Sequence, residues 1–222
     1  MGKKVRIAVL IVAGLLLLAA VILVALWLAS RHVPQFYREA LAVDAAVQQQ
    51  AAEHMDRQAM QMASNVEKSG HWQMRVTAAE INGWLAVVLP KKFPDSLPAT
   101  LRDPRVAIEP GRLTLACRYQ QGNIRSVLTL TIEPYVPKPD VLALRIRKAR
   151  AGLVPMPLGD AISNIAKAVQ GRGLDVQRRQ ADGDPVLQIT LTPQPGERGK
   201  TVRIETLQLR PGEIDIAGTT EK

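Results

Sequence analysis

Hydrophobic and polar positions divide the chain into three stretches with different periods. From Ile7 to Ala29 there is no period: 23 residues run apolar, interrupted only by Gly14. As a helix rising about 1.5 Å per residue, this run spans roughly 35 Å, enough for a hydrocarbon core of about 30 Å. It is longer than the roughly 7–15 apolar residues of a cleaved secretory signal, so it reads as an uncleaved signal anchor. From Pro34 to about Glu67 apolar residues return in steps of three and four, at Phe36, Ala40, Val47, Ala51, Met55, Ala59, Met62 and Val66, with no Gly or Pro between them. That spacing predicts one long helix ended by Ser69-Gly70, with a stripe thin enough for a stalk or a packed partner helix.

Beyond Gly70 the period shortens to two. His71–Val76 predicts a short strand. Thr77 and Glu80 then match a capping box, which opens a helix to about Leu89 with Ile81, Leu85 and Val88 on one face. Pro90, Pro94, Pro98 and Pro104 punctuate an irregular connection. Residues 105–109 and 112–119 predict a hairpin over Pro110-Gly111, followed by strands at 124–133 and, after Pro134–Pro139, at 141–149. A helix from Leu158 to about Gln170 places Leu158, Ile162, Ile165 and Val169 on one face, with Gly171 as its C-cap. Strands at 174–179 and 186–192 flank a turn at residues 181–184. A final hairpin, 201–209 and 213–217, turns at Pro211-Gly212 and echoes the first. One-faced alternation is the signature of antiparallel sheet. The fold class is therefore α+β: a transmembrane helix, a long helix, and an antiparallel sheet packed with two shorter helices. The expected segments are a basic head (1–6), the membrane helix (7–29), the long helix or stalk (34–68), the α+β domain (71–218) and a disordered tail (219–222).

Charge orients this arrangement. The formal net charge is +9, and Lys3, Lys4 and Arg6 precede the apolar run, whereas Arg31 and Arg38 follow it and are offset by Glu39. The positive-inside rule places the N-terminus in the cytoplasm and the domain outside it, on a single-pass protein of the cell's inner membrane. With Lys3, Lys4, Arg6 and Arg31 set aside, the remainder is only mildly basic, which favours anionic surfaces such as lipid headgroups. The charge is diffuse and aromatic residues make up 4%, so a nucleic-acid-binding face is excluded. The single cysteine, Cys117, rules out an internal disulfide and a cysteine-based zinc site.

The search for chemistry yields little. His32, His54 and His71 have no partner at metal-ligand spacing, and each reads as a surface residue. Cys117 lies on an apolar strand face with no neighbouring base. No phosphate-cradling glycine loop or nucleophile elbow occurs. Asp182 and Asp184 lack the later acidic ligand of a calcium loop and read as a solvated turn. No catalytic residue, metal or cofactor is predicted; Glu80 and Asp160 remain only as carboxylates whose meeting in space the sequence leaves open. Arg145 and Arg147, on the face opposite Leu144 and Ile146, are candidate contacts for lipid phosphates or a partner's acids, although a plain solvated sheet face is the simpler account of them.

Residues 76–169 resemble the YpmS-like family of bacterial membrane-anchored extracytoplasmic proteins. The resemblance rests on a helix opening with an acid and an Asn (Glu80, Asn82), then strands, then a Gly-x-apolar-Pro-x-Pro segment (Gly152, Pro155, Pro157) leading into a helix. It implies a strongly curved sheet wrapped around a helix, and a lipid or other hydrophobic ligand. It also adds Gly152, Pro155 and Pro157 as candidate ligand contacts. A strand-to-helix connector explains the same residues: each Pro holds its predecessor extended, Pro157 starts a helix without losing a bond, and Gly152 permits a turn or a close backbone approach. The expectation is a membrane-anchored, non-enzymatic domain that binds a lipid or hydrophobic ligand. The alternative is a structural or assembly protein of the envelope, with the 34–68 helix contacting an envelope protein or a second copy of the chain. An apolar cavity would favour the first, and an exposed stripe on that helix the second.

Overall fold

The computed structural model describes residues 3–68, 70–159, 162, 163, 166, 167, 175–191, 194, 195 and 201–221. Helix α1 (Lys3–Ser30) is continuous over 28 residues and is long and apolar enough to cross a membrane. Its side chains from Leu16 to Leu28 pack against nothing in the domain.

The expected long helix is two helices, α2 (Gln35–Leu41) and α3 (Ala45–Val66). Asp44 makes the break. Its backbone is extended, and its carboxylate accepts the Ala46 N–H at 2.7 Å, so it begins a new helix as an N-cap. The apolar steps run through this point and conceal it. Nor is α3 a free stalk: it crosses α4 (Ala78–Val87) at Gly83, where an added Cβ would fall 2.6 Å from the Gln48 carbonyl oxygen and 2.8 Å from the Ala51 Cβ. Ala52 is buried in this crossing, and Met55, Met62 and Val66 are half-buried along the same helix, while Val47, Ala59 and Ala63 are exposed. The capping box at the start of α4 is present as read. A short helix, α5 (Leu89–Lys92), follows and leads into the proline-rich connection.

All strands pair antiparallel, in two open sheets. One, in the order β1-β11-β10-β9, contains β1 (Gly70–Thr77), β11 (Glu213–Glu221), β10 (Thr201–Arg210) and β9 (Gln194–Pro195). The other, in the order β2-β3-β4-β5-β8-β7, contains β2 (Leu101–Glu109), β3 (Arg112–Gln121), β4 (Ile124–Lys138), β5 (Val141–Ala151), β8 (Asp184–Thr190) and β7 (Asp175–Ala181), with β6 (Val154–Pro155) folded back on β5. Register shifts in the β2–β3 and β4–β5 pairs mark bulges, which bend the strands. The two Pro-Gly hairpins interlock reciprocally. The Gly111 N–H donates to the Leu209 carbonyl at 3.2 Å, and the Gly212 N–H donates to the Ile108 carbonyl at 3.0 Å. The sheets also meet at Asp140, at the tip of the β4–β5 hairpin, whose carboxylate accepts the Ile204 N–H at 3.1 Å.

Two further expectations are corrected. Pro134–Pro139 is not a loop: β4 runs through Pro134 and Pro137, pairing Pro134 with Leu144. The β3 pairing stops at Ile132, so these prolines lie where β4 has no second neighbour in its sheet and a missing N–H costs no ladder bond. The tail is not disordered through residue 221. It completes β11, and the buried Thr220 hydroxyl donates to the Val66 carbonyl at the end of α3. Of the helix expected after Leu158, residues 158, 159, 162, 163, 166 and 167 are helical, and Ile162 and Ala166 are buried against Ile146, Val176, Leu187 and Ile189 in the main core. Ser69, Asp160, Ile165, Val169, Gly171 and Leu174 lie outside the described residues.

Candidate functional site at the foot of the N-terminal helix

The last carbonyls of a helix have no partner within it. At the end of α1 the domain supplies those partners. The Leu153 N–H donates to the Ala29 carbonyl at 2.9 Å, and the buried Ser126 hydroxyl donates to the Ser30 carbonyl at 2.5 Å. Gly152 makes the approach possible: it is buried, adopts φ of +59°, and would press any Cβ into the Ala29 carbonyl and to 2.6 Å from that of Ser30. Its own N–H donates to the Val127 carbonyl at 2.8 Å. The Gly152–Pro157 segment is therefore more than a strand-to-helix connector. It turns β5 into β6 and seats α1 on the sheet. Pro155, paired with Arg150 in β6, and Pro157, just before the next helix, are both exposed.

Helix α2 continues the seating. Tyr37 is buried against Ala116 and Val127, and its hydroxyl donates to the Asp103 carbonyl at 2.8 Å. Burial, with the Asp103 charge nearby, pushes the phenol up to about 12.

Arg145 and Arg147 do not face the membrane helix as free cations. Arg145 pairs with Asp182 at 2.9 Å, and Arg147 pairs with Glu133 at 2.8 Å and with Asp184. The two acids of the β7–β8 turn are thus partners of the two arginines, 37 residues away in the chain, rather than merely solvated. Lys148 and Arg150, which the sequence does not single out from their basic neighbours, have no ion-pair partner among the described residues. They line a cleft of about 230 Å³ with His32, Thr114, Thr129 and Thr131. On the other side of the linker after α1, a cleft of about 550 Å³ is lined by Arg31, Arg118 and Arg125. Arg31 stacks over the Trp27 ring at 3.9 Å, and Arg118 pairs with Asp103 at 3.3 Å.

Asp103 also belongs to the wall of a third cavity, of about 390 Å³, beneath the proline-rich segment. Leu85, Leu89, Phe93, Leu97 and Leu101 give it an apolar lining, and Arg105 closes one side. Arg105 is 5% exposed, has no carboxylate in ion-pair range among the described residues, and leaves its Nε unpaired; one guanidinium nitrogen donates to the Pro104 carbonyl at 2.8 Å. Burial lowers its affinity for the proton.

The two residues that open α4 serve the fold. Glu80 is buried, accepts the Thr77 N–H at 2.7 Å and the Thr77 hydroxyl at 2.9 Å, and bonds the His54 ring. Burial pushes its carboxyl up, but the Thr77 N–H, the His54 ring and the Thr77 hydroxyl outweigh this and hold it below the usual range. His54 is thus tied to α4 by a long-range contact that its spacing gave no sign of. Asn82 mimics a strand: its side chain donates to the Val106 carbonyl at 2.9 Å and accepts the Val106 N–H at 2.7 Å. Cys117 is half-buried, and burial pushes its thiol up to about 11. No group of three or more metal-ligating side chains occurs among the described residues. Comparison with protein-family models, curated proteins and solved structures found no match.

Proposed function

We propose that the chain is a single-pass, membrane-anchored extracytoplasmic domain that binds a lipid or other hydrophobic ligand without transforming it. The observation that carries this reading is the cavity in which Leu85, Leu89, Phe93, Leu97 and Leu101 face a polar edge of Arg102, Asp103 and the buried Arg105, whose guanidinium has no ion-pair partner among the described residues. Its volume falls in the range of small-ligand sites, and an apolar lining with few polar groups is their usual chemistry. The cavity stands beside α2, the helix that directly follows the membrane helix, so a ligand leaving the bilayer has a short path to it. The resemblance to the YpmS-like family points the same way. An assembly role through α3 has less support, because the face carrying Ala52 and Met55 is already occupied by α4.

The test is native mass spectrometry of the full chain released from detergent, with extraction of the same sample. The expected result is one amphiphile per chain, lost on denaturation and displaced in Leu97→Trp, which fills the cavity. A chain that flies empty from mild detergent, or a bound species indifferent to Leu97→Trp, would overturn the reading.

A further inference from the structure

The cleft beside Gly152 has an order that its lining alone does not convey. Strand register places Thr114, Thr131 and Lys148 side by side across β3, β4 and β5, and the next row toward the membrane helix is Ala116, Thr129 and Arg150. The row after that contains Val127, whose carbonyl accepts the Gly152 N–H at the foot of α1. One sheet face therefore presents three hydroxyls and two cations in adjacent rows, and the segment from His32 to Phe36 walls one side. No acid lines the cleft, and neither cation is neutralised by a carboxylate among the described residues.

The end of α1 is the reference point. Successive rows on one face of a strand are about 7 Å apart, so Arg150 lies about 7 Å and Lys148 about 14 Å along the sheet from the Gly152 row that receives the end of α1. The headgroup layer is about 5–8 Å thick on each side of the hydrocarbon core. A headgroup beside the end of α1 would therefore meet Arg150 and Thr129 first and Lys148 in the next row. Leu153, half exposed beside the Ala29 carbonyl, adds an apolar side chain at the same end of the sheet.

We propose that the Thr129–Arg150 and Thr114–Thr131–Lys148 rows form a site for the phosphate of an anionic phospholipid that stays in the membrane beside α1. The guanidinium and ammonium groups neutralise the phosphate, the hydroxyls donate to its oxygens, and the acyl chains lie along the exposed side of α1. This site is separate from the apolar cavity: Arg105, which closes that cavity, stands at the β2 end of the same Ala116–Thr129–Arg150 row, but the two share no lining residue and neither depends on the other.

The full chain in nanodiscs of phosphatidylcholine with a minor share of phosphatidylglycerol tests this, read by native mass spectrometry of the lipids retained after the disc is stripped. The wild type should keep one phosphatidylglycerol in preference to phosphatidylcholine. Arg150→Gln and Lys148→Gln should each lower that retention about tenfold, since a hydrogen bond to a charged group is worth roughly that factor. Lys148 is exposed, so its substitution spares the fold, and Arg145→Gln, which breaks the pair with Asp182 instead, should leave retention unchanged. Equal retention of the two lipids, or variants that retain phosphatidylglycerol like the wild type, would overturn the assignment. Complete displacement by millimolar inorganic phosphate would overturn it too, in favour of a soluble anion.

Discussion

At the residue scale, Thr77, Glu80 and Asn82 decide how α4 is held, and each makes a measurable claim. Replacing a threonine cap by alanine costs about 1 kcal/mol, so Thr77→Ala should lower stability by that amount in urea unfolding. Glu80 adds a pH dependence whose sign follows from its depressed titration. A carboxyl held below its unfolded value contributes stability that is present above that value, near pH 4.3, and is lost as the pH falls through the folded value. Glu80→Gln should therefore flatten the acid limb of stability against pH below about pH 5. Asn82→Leu should cost more, about 2–3 kcal/mol, because it leaves both backbone groups of Val106 unpaired. The legibility of these residues follows the range of their contacts. The capping box is readable because its partners lie three positions apart. The partners of Asn82, His54 and Arg145, and Asp184 for Arg147, lie 24 to 37 positions away, beyond the reach of any local spacing rule.

At the element scale, two features of the anchor region were written in the sequence under a different meaning. Asp44 is a standard helix start, yet the apolar steps on either side of it join into one apparent stripe, and only the burial of Tyr37 by the sheet shows why the chain must turn there. Gly152 was readable as a place of close backbone approach, but not the backbone that approaches it, which belongs to a helix more than 120 residues earlier. That contact makes a prediction about α1 as a whole. Gly152→Ala combines a disfavoured positive φ with a clash against Ala29 and Ser30, so the membrane helix should undock from the sheet while the core around Ile146 and Leu187 stays intact. Hydrogen exchange measures it: the Leu153 amide, protected by the Ala29 carbonyl, should exchange much faster in the variant, while amides of β5 and β8 keep their protection. Equal protection of Leu153 in both proteins would show that the helix is not held there.

At the scale of the whole molecule, the anchor, the basic clefts and the apolar cavity make sense together only if the domain stands on one defined side of the bilayer. The expected side is outside the cytoplasm, from the basic head before the apolar run. Cys117 makes this straightforward to measure, because it is nearly silent: a half-buried thiol pushed up to about 11 is thiolate in only about one molecule in ten thousand at pH 7, and thiolate is the reactive form. A cysteine placed at the exposed end of β3, Gln121→Cys, therefore reports alone. In spheroplasts, a membrane-impermeant maleimide should label this variant fully without lysis, and the unsubstituted chain should stay dark under the same conditions. The β3–β4 turn carries Asn123, and Arg125 of the same larger basic cleft lies just beyond it, so the label also probes that face. If the maleimide, applied in vesicles of phosphatidylglycerol, reacts more slowly than in phosphatidylcholine alone, headgroups are covering that face. If labelling requires lysis, the domain is cytoplasmic, and the anionic leaflet to which its arginines are offered is the inner one.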